Sequence, residues 1–342
     1  MTFEYEYAVL IGRFQPFHNG HLEIVESALK KAKNLIIVIG SARSGRNIKN
    51  PWSFDERKNM ISGSLPQHTG RLHFIPVRDY YYNDQLWLSE LHQKVREITD
   101  GCDSIAMAGQ YSDDSSYYLN MFPQWSFIPC HTSTKIHATE IRSAYFQGNY
   151  DYESVPTYVQ SIMRSYASEI NVAGFQNLRE EWEYTDRYKR SWASAPFVPT
   201  FVTADTVVIQ SGHVLLVRRG HNPGKGKWAL PGGFLKPSER IVDGAVRELY
   251  EETKLKVPKE VTRANIVGDP AVFDFPGRSL RGRTITHAIC VHFKDGYKLP
   301  ECKGSDDAEK AQWVPIGDLR LMEQDFFEDH LMIIEHWLHR IK

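Results

Sequence analysis

Short apolar runs and helical stripes alternate along the first half of the chain. Residues 7–11 form one apolar run ending at Gly12, and residues 35–39 form another ending at Gly40. Both predict buried parallel strands, because a strand covered on both faces carries an almost unbroken run of apolar side chains. Between them Leu22, Val25, Ala28, Leu29 and Ala32 recur at helical spacing, which makes a βαβ unit with a right-handed crossover. A further strand is expected at 72–77. From 155 to 188 the apolar residues again fall at helical spacing, as Val155, Tyr158, Val159, Ile162, Met163 and Tyr166, then Phe175, Leu178 and Trp182. These helices close a first domain, 1–190. The stretch 191–199, with Pro196 and Pro199 and few charges, is the expected linker. In the second domain, 200–342, a strand at 200–209, a Ser211-Gly212 turn and a strand at 213–218 predict a hairpin. A helix at 239–253, strands at 263–272 and 283–293 and an amphipathic helix at 326–341 complete the pattern. The fold class is α/β, and no internal repeat or low-complexity tract interrupts it.

Composition supports two domains, since 342 residues with 42% hydrophobic content suffice for about two separate cores. Lys and Arg number 41 against 42 Asp and Glu, a formal charge of -1. That balance lacks the basic excess a nucleic-acid partner calls for and suits small anionic substrates held by a few local arginines. No apolar run approaches the roughly 18 residues of a membrane span, and Arg13 interrupts the first apolar stretch too early for a signal peptide. A cytoplasmic protein without a membrane partner is expected. Cys102, Cys130, Cys290 and Cys302 include no Cys-x2-Cys pair, so reduced structural thiols are expected. A homo-oligomer is compatible with the pattern, which does not fix an oligomeric state.

Ligands of a parallel sheet bind beyond the carboxyl ends of its strands. That edge carries GRFQPFHNGH at 12–21, running into a helix N-terminus, which is already an anion site and here gains Arg13, His18 and His21. Phosphate is the chemistry implied; a histidine zinc site and purely structural histidines are the alternatives. These ten residues resemble the archaeal-type nicotinamide mononucleotide (NMN) adenylyltransferases, whose His-x-Gly-His motif marks a wider nucleotidyltransferase superfamily. The resemblance continues through Gly40 and Ser41, through residues 50–57 ending at Arg57, and into 135–142. There Thr139 and Arg142 stand in the family's phosphate motif and His137 replaces its serine. It implies a Rossmann-like domain in which His18, His21 and Arg142 are catalytic and Gly12, Arg13, Phe14, Gly40, Ser41, Arg57 and Thr139 bind ATP and NMN. Asn83, Asp84 and Trp87 match where the family reads nicotinamide. An indole face can stack on that ring, although ordinary core packing explains a tryptophan equally well.

In the second domain, helical geometry puts Glu248, Glu251 and Glu252 within one arc, while Val242, Ala245, Val246, Leu249 and Thr253 fall on another. Like charges at this spacing cost a few tenths of a kcal/mol per pair, and a hard divalent cation supplies the missing countercharge. Arg247 can reach Glu251 one turn on. A merely acidic solvated face is the alternative. Together with Gly233, Glu239 and Leu255 these residues resemble the Nudix box, with Lys254 in place of its second glycine. A lysine there costs on the order of 1 kcal/mol where the helix ends at positive φ, so a differently built turn is expected.

The resemblance implies an α/β/α sandwich around a mixed sheet. It also implies a Mg²⁺ site, with Mn²⁺ as an alternative, held by Glu248, Glu251 and Glu252, and makes Arg247 catalytic. Arg218, Trp228, Gly233, Arg278, Arg281 and Arg283 are then expected to hold ADP-ribose. Asp306, Asp307 and Glu309 form a later acidic cluster, either an extra metal ligand or base, or a solvated loop. Both halves together resemble bifunctional proteins that join an NMN adenylyltransferase to a Nudix ADP-ribose pyrophosphatase, with ATP, NMN, NAD and ADP-ribose as partners. Two rival readings remain: transfer of a nucleotide to a different phosphate in the first half, and an ADP-ribose sensor without hydrolysis in the second.

Overall fold

A computed structural model describes residues 2–341 except 111–113, 134, 150–152, 297 and 306–307. The chain divides into two compact units, Met1–Glu180 and Glu181–Lys342.

The first unit is built on β1 (Tyr5–Gly12), α1 (Asn19–Lys31), β2 (Ala32–Ile39), α2 (Phe54–Ser64), β3 (Leu72–Pro76), α3 (Asp84–Thr99), β4 (Ile105–Gly109), β5 (Ser126–Pro129), α4 (Ala138–Gln147) and α5 (Thr157–Ser165). Helix α6 (Val172–Ser191) crosses the division between the units. The five strands form a parallel sheet in the order β3-β2-β1-β4-β5. Val9, Ile36, Val38, Ile75 and Met107 pack with Leu91 and Val95 of α3 on one face. The order reverses between β1 and β4, and the loops leaving their carboxyl ends part there, which opens the crevice where such sheets bind ligands.

The second unit contains β6 (Phe201–Gln210), β7 (His213–Arg219), β8 (Trp228–Ala229), β9 (Gly232–Phe234), α7 (Ile241–Thr253), α8 (Lys259–Ala264), β10 (Ala271–Phe273), β11 (Thr284–His292), β12 (Ala308–Pro315) and α9 (His330–Leu338). Its sheet runs β10-β11-β6-β7-β12, with β8 on β7 and β9 on β6. It is mixed, since β6 and β11 are parallel and the remaining pairs antiparallel. Alternation along β6 sends Val207 and Ile209 toward Ile333, Ile334 and Trp337 of α9. It sends Ala204 and Val208 toward Ala245, Val246 and Leu249 of α7. The sheet is therefore sandwiched between two helices.

Four expectations are corrected. The strand expected at 263–272 reduces to the end of α8, a turn, a single antiparallel bridge from Ile266 to Val291 and the start of β10, because Pro258 starts a short helix and Gly268, at φ 64°, bends the chain before that three-residue strand. The closing helix is only α9, because Glu328 sits at φ 45° and Phe326 is extended. Arg240 is extended as well, which leaves Glu239 outside α7. Lys254 occupies the left-handed position, at φ 47° and ψ 34°, so the turn is kept as a glycine would make it. Among the described residues, no helix is long and apolar enough to cross a membrane.

Candidate active sites

In the first unit, β1 carries Gly12 and exposed Arg13 to the crevice, and the ring of Phe14, at φ 51°, folds back over Gly12. His18 and His21 lock the first turn of α1 onto each other. Each donates its backbone N–H to the other's Nδ1 at 3.3 Å, and the rings stack 3.5 Å apart. Because both Nδ1 atoms accept, both imidazoles carry their proton on Nε2. Burial, then the nearby His137, brings the His18 pKa down to about 4, and burial holds His21 well below its ordinary value. The motif thus supplies two uncharged N–H donors at a helix N-terminus.

Arg142 is buried, donating Nη1 to the Gln15 carbonyl at 2.6 Å and Nη2 to the Thr139 hydroxyl at 3.1 Å. Burial, then the charge of Arg13, pushes it down to about 10. A buried guanidinium depressed by a like charge nearby is an electrostatic preparation for an anion. Arg57, expected to bind substrate directly, is spent on backbone. Its Nη1 reaches the carbonyls of Arg13 and Gly40, each at 2.7 Å, and its Nη2 that of Ser41 at 3.3 Å. It ties the ends of β1 and β2 together, with Gly40 and Ser41 on the same rim. Gln15, which the sequence did not single out, clasps the backbone of Trp52 with both ends of its amide. Exposed Asn83 caps α3, accepting the Leu86 N–H at 3.1 Å, and Asp84 opens that helix in solvent. Trp87 lies edge-on to Tyr118 and Phe122 at about the border of the core, and the Tyr118 hydroxyl donates to the Ile11 carbonyl at the end of β1.

In the second unit, α7 buries Ala245, Val246, Leu249 and Thr253 and leaves its glutamate arc toward β9. Arg247 organises that arc. It grips Glu239 with two bonds, at 2.7 and 2.9 Å, and reaches Glu248 at 2.7 Å and Glu251 at 2.9 Å. Glu239, held down to about 2 by this pairing, therefore belongs to the cluster, although it precedes the helix. Glu252 is partly buried and accepts the Gly232 N–H at 3.0 Å. The carboxylate of Glu248 packs so closely on Gly233 that a Cβ there would stand 2.6 Å from Oε1, and at Gly232 a Cβ would meet Oδ1 of Asp205 at 2.1 Å. Glycine at both positions lets three carboxylates crowd one backbone segment.

Asp205, a member the sequence analysis missed, lies buried on β6 and accepts from the Thr286 hydroxyl. Burial pushes Glu252 up to about 8 and Asp205 up to about 6, and raises Glu248 as well. Among the described residues no three His, Cys, Asp or Glu side chains stand grouped as finished metal ligands. The donor set nevertheless fits a hard divalent cation. Oxygen ligands are gathered on one arc, and burial disfavours the charged forms of Glu252, Glu248 and Asp205, which a divalent cation would favour.

The arginines expected around ADP-ribose have separate duties. Arg278 is buried in a two-bond pair with Asp329, at 2.9 and 2.7 Å, which fastens its loop to the start of α9. It is an anchor rather than an open ligand. Arg283 donates to the Asp274 carbonyl, and exposed Arg218 donates to the Gly226 carbonyl at 3.1 Å and lies 4.0 Å from Glu309. The Arg281 guanidinium lies 4.8 Å from the ring centre of Phe234, and its buried Nε has no hydrogen-bond partner. Trp228 packs against the core beneath α9. Asp306 and Asp307 lie outside the described residues.

Residues 9–144 match the cytidylyltransferase-like family and residues 199–336 the NUDIX domain. The chain is 38% identical to a nicotinamide/nicotinic acid mononucleotide adenylyltransferase of Acinetobacter baylyi, over 43% of this chain and 78% of that protein. A crystal structure of a bifunctional NMN adenylyltransferase/ADP ribose pyrophosphatase from Francisella tularensis superposes with a TM-score of 0.94 at 38% identity, covering 98% of this chain and 99% of that one. This chain belongs to that bifunctional family. A second Francisella structure, in complex with AMP and a manganese ion, superposes with a TM-score of 0.92 at 37% identity, covering 98% and 99%. Both halves of the family, nucleotidyltransferase and Nudix enzyme, use divalent metal ions.

Proposed function

We propose that the first unit transfers AMP from ATP to NMN, giving NAD and pyrophosphate, and that the second hydrolyses ADP-ribose to AMP and ribose 5-phosphate. The observation that carries this reading is the near-complete superposition on a bifunctional enzyme, with a phosphate-suited site in one unit and a carboxylate site in the other.

In the first site the attacking phosphate of NMN is already an anion near neutral pH, because its second pKa is near 6, so alignment and charge compensation suffice. His18 and His21 donate Nε2–H bonds, Arg13 and Arg142 supply positive charge, and Thr139 and Arg57 hold the rim in place. Asn83, Asp84 and Trp87 are assigned to nicotinamide. In the second site Glu248, Glu251 and Glu252 hold a divalent cation, Mg²⁺ or Mn²⁺. When bound, that ion supplies charge for the diphosphate and lowers the pKa of a water. Arg247 keeps Glu239, Glu248 and Glu251 in register, the Gly232 N–H seats Glu252, and Arg218 and Arg281 receive substrate. The test is direct: supply ATP, NMN and Mg²⁺ and follow NAD, then supply ADP-ribose separately and follow AMP. NAD absent from the first assay, or AMP from the second, removes the corresponding assignment.

A further inference from the structure

Glu328, just ahead of α9, holds a left-handed backbone that a side chain makes costly, and its surroundings enforce it. Before it, the Phe327 N–H donates to the Trp228 carbonyl at 2.8 Å. After it, Asp329 is gripped by Arg278, and His330 accepts the Leu230 N–H at 2.9 Å. With both sides pinned, residue 328 has no room to relax. Lys254 shares this conformation, but its side chain points into solvent. The Glu328 side chain is half-buried and engaged: its Oε1 accepts the Leu280 N–H at 3.2 Å, in the loop between Arg278 and Arg281. Burial raises its pKa, against the opposing charges of Arg281 and then Arg278.

Arg281 needs such support. Its buried Nε has no hydrogen-bond partner, so the direction of its guanidinium depends on the backbone that carries it. That backbone is fastened upstream by the pairing of Arg278 with Asp329, and the Arg281 N–H donates to the Ser279 hydroxyl at 3.4 Å. The remaining amide between them, that of Leu280, is the one Glu328 holds. We infer that Glu328 is a positioning residue for hydrolysis: it clamps the Leu280 amide and thereby aims Arg281 at the anionic substrate. This rests on the reading of the second unit as a nucleoside diphosphate hydrolase. A turn-former alone would explain the left-handed backbone, but glycine would make that turn without strain. It leaves open why the position carries a carboxylate bonded into the arginine loop.

Glu328→Ala and Glu328→Gly should each raise the KM for ADP-ribose about ten-fold, the order expected when one hydrogen bond to a charged acceptor is lost, with a smaller change in kcat. Glu328→Gln keeps an acceptor for Leu280 and should stay within about three-fold of the wild type. Urea unfolding separates this from a structural role. The glycine variant, relieved of the left-handed strain, should be more stable than the alanine variant and yet as poor in KM. A cycle with Arg281→Ala tests the route: if Glu328 acts through Arg281, adding Glu328→Ala to Arg281→Ala should raise KM no further. Binding is measured independently of hydrolysis by titrating ADP-ribose, with divalent cations chelated, into the full-length chain carrying His21→Ala to silence the first site. Adding Glu328→Gly should weaken that binding by a comparable factor. If the chain binds ADP-ribose in this way but cleaves no nucleoside diphosphate, the hydrolase reading fails and the clamp stands; if it neither binds nor cleaves, both fail. Unchanged KM and affinity in the alanine and glycine variants, losses that follow stability instead of the acceptor, or additive losses in the cycle overturn the clamp.

Discussion

Arg247 decides how the second site responds to single changes. Glu251→Gln and Glu252→Gln keep side-chain shape but remove charge from the proposed metal cluster, so each should reduce ADP-ribose hydrolysis by orders of magnitude. Stability without metal should change little, since burial already disfavours the charge of Glu252 and the Glu251–Arg247 pair is solvent-exposed on the glutamate side. Glu239→Gln should not be silent. It replaces one of the two carboxylate bonds that hold Arg247, and the freed guanidinium should loosen Glu248 and Glu251 with it. An intermediate loss is expected, and hydrolysis at the wild-type rate in all three variants would leave only a charged surface.

The glutamates at 248, 251 and 252 were legible because helical spacing alone puts them on one arc. The role of Glu239 was not, because it lies outside the helix, and Asp205 was not, because its neighbours come from β9 and β11 rather than from its own strand. His330 offers a pH test at this scale. It is buried and accepts the Leu230 N–H on Nδ1 at 2.9 Å, and burial pushes its pKa down to about 3. The folded state thus refuses a proton that the unfolded chain takes near 6.5. The contribution is complete above pH 6.5 and is lost as pH falls toward 3, by on the order of 5 kcal/mol at most. His330→Asn can keep an acceptor for Leu230 without titrating. Urea unfolding of the two proteins between pH 7 and 4 should show the variant losing less stability.

At the scale of elements, the turn after α7 carries a stored cost. Lys254 holds a left-handed conformation that a side chain makes unfavourable, so Lys254→Gly should stabilise the second unit by about 1 kcal/mol and leave hydrolysis unchanged. Denaturant melts compared at equal slope measure it. The βαβ start, the hairpin and the central box helix were legible because each rests on a local period bounded by glycine or a turn. The segment 263–272 was not, because apolar residues at loose spacing fit a strand and a short helix equally, and Pro258 and Gly268 settle the matter. The closing helix was overextended for a similar reason. Phe326 and Phe327 continue its apolar pattern, but their backbone is turned away by Glu328 at positive φ.

For the whole molecule, two compact units with their own sheets and sites make the activities separable. His18→Ala or His21→Ala should abolish NAD formation while ADP-ribose cleavage persists, with both followed in one preparation of a variant whose melting profile matches the wild type. Simultaneous loss of both activities in a folded variant would contradict two independent sites. The division of labour was legible because the two motifs are distant in sequence and differ in charge, one rich in donors and the other in carboxylates. What the phosphate motif did not disclose is that its two histidines cap each other's backbone. A pair of uncharged imidazoles locked in this way would grip a phosphate through directional bonds rather than through net charge, and ionic strength would screen that part of the binding far less than it screens exposed ion pairs.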